Sequence, residues 1–96
     1  MKDIEKQLKK LNQTSYYIQP FDLPDGRKVY NIFNYQKAPN KYVSVIFDQS
    51  LIECALWTKP CNPLYNYDLD DYFVQIIKRY KRVYFALNFI EKHLQG

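Results

Sequence analysis

Apolar positions change their period along the chain. In residues 3–12, Ile4, Leu8 and Leu11 recur on one side, with Lys6, Lys9 and Lys10 on the others. That spacing predicts a short amphipathic helix with a narrow apolar stripe. From Ser15 onward the pattern breaks into short runs rich in Tyr, Val, Ile and Phe, separated by turn-forming residues, which predicts strands. Four are read: Tyr16 to Phe21, Lys28 to Tyr35, Lys41 to Phe47 and Leu51 to Thr58. Pro24, Asp25 and Gly26 give the clearest turn signal, because Pro presets its backbone angle and Gly supplies a positive φ. Ala38, Pro39 and Asn40 are expected to join the second and third strands, and Asp48, Gln49 and Ser50 the third and fourth. Such connections make an antiparallel meander.

In the third strand Val43, Val45 and Phe47 face one way and Tyr42, Ser44 and Ile46 the other, so neither face is purely polar. Residues 59–67, KPCNPLYNY, read as a loop, since their prolines and asparagines interrupt either kind of regular structure.

Asp68 to Leu94 returns to the helical period. Leu69, Phe73, Ile76, Ile77, Tyr80, Val83, Tyr84, Leu87, Ile90 and Leu94 follow one stripe, predicting one long helix packed on the sheet. Asp68 is placed to cap it, Asp70 and Asp71 to complement the positive end of its dipole, and Lys92 and His93 the negative end. Winding the same residues at 3.6 per turn puts Val74, Phe85 and Phe89 on the far side, among Lys78, Lys81, Arg82 and Lys92. Val83, Phe85, Leu87 and Phe89 also alternate as a strand would, but the helical stripe passes through them without a break in phase. The expected fold is therefore α+β: a short N-terminal helix, a meander of about four strands and a long C-terminal helix, in a single domain spanning residues 1–96.

Composition narrows the function classes. A hydrophobic fraction of 47% with 18% aromatic residues excludes a disordered chain, because enough apolar area is available to offset the ordering entropy. No apolar run approaches the roughly 18 residues that cross a bilayer, and the charged segment MKDIEKQLKKLNQ is unlike a secretory signal. The expected compartment is the cytoplasm. The net charge of +4 raises interest in polyanions, although the excess of Lys over Arg, with abundant Asn, Ile, Tyr and Phe, is also what AT-rich coding produces.

Catalytic equipment is sparse. His93 is the only histidine, and Cys54 and Cys61, separated by six residues, match no zinc or redox spacing. Asp68, Asp70 and Asp71 lack the glycine and downstream glutamate of a calcium loop. Two glycines in 96 residues leave little with which to build a phosphate cradle. No catalytic residue, metal site, cofactor or small-molecule substrate is indicated.

The order helix, antiparallel meander, helix resembles the double-stranded RNA-binding fold. That family grips phosphates with a lysine-rich start to its second helix, where this chain carries Asp68, Asp70 and Asp71, and none of its functional residues is carried over. The expectation is a non-enzymatic accessory or inhibitory protein, of a kind suited to a mobile element, that binds another protein or a second copy of itself. Phe85, Phe89, Val74 and Arg82 would form that surface. The alternative is nucleic-acid binding, with Lys78, Lys81, Arg82 and Lys92 meeting phosphates and the phenylalanines stacking on bases.

Overall fold

The computed structural model describes residues 6–7, 16–48, 50–59 and 72–95. Lys6 and Gln7 are helical; the rest of the predicted N-terminal helix, the capping carboxylates Asp68, Asp70 and Asp71, and Cys61 lie outside the described residues. Among the described residues five strands, β1 (Tyr17–Asp22), β2 (Lys28–Asn34), β3 (Ala38–Asp48), β4 (Leu51–Thr58) and β5 (Phe73–Tyr80), precede the helix α1 (Val83–Leu94). The strands form a single antiparallel sheet in sequence order, β1 to β5.

The β1–β2 hairpin closes as its turn residues dictate. Gly26 adopts φ +91°, a conformation open to a residue without Cβ. Its N–H donates to the Leu23 carbonyl at 3.0 Å, and the Arg27 N–H donates to Asp25 Oδ1 at 3.0 Å. The next turn differs from expectation. Tyr35 to Lys37 make it, while Ala38, Pro39 and Asn40 belong to β3. The β2–β3 register shifts between Phe33 and Asn34, and this irregularity accommodates Pro39, which has no N–H to give a ladder.

The main correction concerns the last third of the chain. Residues 68–94 are not one helix: Phe73 to Tyr80 pair with β4, the chain bends at Lys81 and Arg82, and helix begins only at Val83. Phe, Val and two Ile crowd Phe73 to Ile77, and β-branched and aromatic side chains favour a pleated surface. β4 is also apolar on both faces, with Ile52, Cys54, Ala55 and Leu56 all buried. Pairing with β5 satisfies its outer backbone groups.

Register sorts the side chains onto two faces. On one lie Ile32, Val43, Val45, Cys54 and Leu56, covered by Ala86, Phe89, Ile90 and Leu94 of α1. On the other, cross-strand partners Tyr17, Phe33, Tyr42 and Trp57 form an aromatic row. Their neighbouring rings lie 6.1, 5.2 and 5.8 Å apart. The next row on this face, Asn31, Ser44 and Ala55, is small; beyond it come Phe21, Val29 and Ile46. No helix among the described residues is long and apolar enough to cross a membrane.

Candidate binding face between the last strand and the helix

β5 is an edge strand, and such an edge offers unpaired backbone groups to another chain. Alternation carries Ile76, Lys78 and Tyr80 to the helix side of the sheet, opposite Leu56, Cys54 and Ile52 of β4. There they meet Phe85, Asn88, Phe89, Lys92 and His93 of α1, and the two elements enclose a groove of about 230 Å³. Tyr84 and Phe85 remain exposed at the start of α1, and β5 also exposes Phe73 and, on the face away from the helix, Val74 and Ile77.

The predicted site residues separate into three groups. Lys78, Lys92, Phe85 and Phe89 all line this groove. Lys81 and Arg82 are exposed in the bend that joins its two walls. Val74 does not join them: it sits opposite Trp57 on the face away from the helix. The proposed common helical face of Lys78, Lys81 and Arg82 is likewise corrected, since Lys78 is in the strand and Arg82 is the N-cap of α1.

Phe85 and Phe89 have different roles. Phe89 is 4% exposed and part of the core, whereas Phe85 is 49% exposed. Tyr80 links them, with ring centroids 6.2 Å from Phe85 and 6.3 Å from Phe89. Tyr84 adds an edge-on contact to Phe85 at 5.5 Å. Phe85 is thus held by aromatic neighbours on two sides while presenting half its surface outward.

Among the described residues, two lysines and no carboxylate line the groove. His93 stacks 4.5 Å from Phe89, and burial, then Lys92 and Lys41, hold its pKa below the usual imidazole value. It is therefore mainly neutral at pH 7, so Lys92, not His93, carries the charge that complements the helix C-terminus. Burial also raises the Tyr80 phenol, as does the nearby Cys54. Among the described residues, no three His, Cys, Asp or Glu gather as a metal site. Cys54 is fully buried beneath the helix, and desolvation, then Glu53, pushes its thiol up to about 12. Tyr80, Asn88 and His93 were not anticipated as groove residues, because their convergence depends on residues 73–80 being a strand.

No protein-family model matches the chain, and neither a curated protein nor a solved structure matches it.

Proposed function

We propose that the chain is a non-enzymatic binding protein that engages another protein through β5 and the adjoining side of α1. The observation that carries this reading is a strand at the edge of the described sheet that exposes Phe73, Val74 and Ile77, followed by a helix whose first turn exposes Tyr84 and Phe85. Apolar side chains on both faces of an edge strand suit strand addition, in which main-chain bonds give affinity and side-chain pockets give selectivity. Lys78 and Lys92 in the adjoining groove and Lys81 and Arg82 in the bend favour an acidic partner segment.

A second reading is nucleic-acid binding in the same groove. It is favoured by Lys78 and Lys92 lining one cavity with Asn88 and the half-exposed ring of Phe85. Affinity capture from source-cell extract separates the two when wild type is compared with Ile77→Lys and Phe85→Ser. The protein reading expects a stoichiometric acidic protein that both folded variants fail to retain. Recovery of nucleic acid released by moderate salt favours the second reading, and equal capture by wild type and both variants contradicts the proposed face.

A further inference from the structure

The face of the sheet away from α1 carries a second concavity, independent of the binding face just described. It arises from the row order. Asn31 and Ser44 are short side chains flanked by Tyr42 and Trp57 on one side and by Val29 and Ile46 on the other. Four residues along β3, from Tyr42 to Ile46, separate the flanking rows by about 13 Å. The result is a trough of about 450 Å³, with Phe21 and Leu23 at one end and Tyr72 against Tyr42 at the other. That volume falls within the range of small-ligand pockets.

The trough floor is chemically specific. Asn31 is 4% exposed, yet its carboxamide makes no side-chain hydrogen bond among the described residues, and no fully enclosed side-chain N or O lacks a partner. Its amide is therefore reached through the cavity that it lines. It offers two N–H donors and a carbonyl acceptor. Beside it, Ser44 Oγ accepts a bond from Trp57 Nε1 at 3.0 Å, which leaves the hydroxyl hydrogen to be donated.

The walls define the rest of the ligand. Tyr42 and Trp57 are parallel to within 3°, while Tyr72 stands at 74° to Tyr42. Tyr42 is 6% exposed and stacked between Phe33 and Trp57, so the partly buried Trp57 ring is the part of this wall that a flat ligand ring can meet. Among the described residues no charged side chain lines the trough, and Lys59 Nζ lies 5.4 Å from the Tyr72 ring centroid, which opposes a cationic ligand at that end. We propose that the trough binds a neutral planar heterocycle with an adjacent donor and acceptor on one edge. The oxo-purine ring is a ligand of this class: its carbonyl and ring N–H match the Asn31 amide, and the ring packs against Trp57.

Trp57 is the only tryptophan in the chain, so its fluorescence reports on the trough directly. Hypoxanthine is titrated with excitation near 300 nm, alongside 1-methylhypoxanthine, which keeps the ring system and its neutrality and carries a methyl group in place of the N–H. The expected result is a saturable change in Trp57 emission with hypoxanthine and roughly tenfold weaker binding of the methyl analogue, the size of effect one lost hydrogen bond produces. Asn31→Leu, shown folded by circular dichroism, should weaken hypoxanthine similarly. No saturable change up to the solubility limit would overturn the proposal. So would equal binding of the two purines, an arm that needs no variant to fold.

Discussion

Asn34 and Leu94, sixty positions apart, are joined by a buried hydrogen bond: Asn34 Nδ2 donates to the Leu94 carbonyl at 2.9 Å. The Asn34 side-chain oxygen accepts the Lys37 N–H at 3.2 Å, so one amide closes the β2–β3 turn and receives the last turn of α1. Both Asn34 and Leu94 are fully buried, where an unmet polar group keeps its full desolvation cost. Asn34→Ala should therefore destabilise the fold by about 1–3 kcal/mol, seen as a lower urea midpoint. Asn34→Asp should be worse, because it removes the donor and buries a charge facing a carbonyl.

The start of α1 offers the opposite opportunity. Arg82 is its N-cap, with no side-chain cap bond, and no acidic residue occupies the first turn. Arg82→Asp would supply both an acceptor for the free N–H groups and negative charge at the positive end of the dipole. It should stabilise the domain by about 0.5–2 kcal/mol, measurable as a rise of several degrees in Tm. The same change should weaken capture of an acidic partner, so stability and binding would move in opposite directions.

Cys54 should be chemically silent until the fold opens. Its thiol is fully buried, and its pKa is raised from the ordinary 9.0 to about 12. In a Cys61→Ser background, labelling by a thiol-specific disulfide reagent at pH 8 should follow opening of the structure and become fast in urea. Fast labelling of the native protein would show that the helix does not seal this site. Because the raised pKa favours the protonated native form, stability from this group is complete below 9.0 and declines as pH rises toward 12.

His93 gives a dependence at the acid end. Its folded pKa is depressed below the unfolded value of 6.5, chiefly by burial, so its neutral form is favoured by folding. The corresponding stability is present above 6.5 and is lost as pH falls through that value toward the lower folded pKa. Urea midpoints should decline between pH 7.5 and 5.5. His93→Gln should remove part of that decline, and an unchanged slope would assign it to other groups.

Much of the sheet is legible in the sequence. The alternation of Val43, Val45 and Phe47 against Tyr42, Ser44 and Ile46 predicts the faces found in β3, and Asp25-Gly26 marks the first hairpin. The last third was not legible, for a definite reason. Ile76, Ile77 and Tyr80 satisfy a helical stripe, and the competing strand is preferred only when β4 presents an edge to pair with. The local ambiguity at Val83 to Phe89 resolves the other way, as helix, because Ala86, Phe89 and Ile90 then share the face that covers the sheet. Lys78 and Lys92 could be named from charge alone. Their placement in one groove depends on the bend at Lys81 and Arg82, to which the charged run 78–82 gave no directional clue.

Backbone amide exchange on the chain alone and in complex with its captured partner tests the β5–α1 binding face most directly. Strand addition should slow exchange at the outward-directed amides of Phe73 to Tyr80 and protect the segment around Tyr84 and Phe85. Unchanged exchange in β5, with new protection confined to β1 or to the sheet face bearing Tyr42 and Trp57, would contradict it.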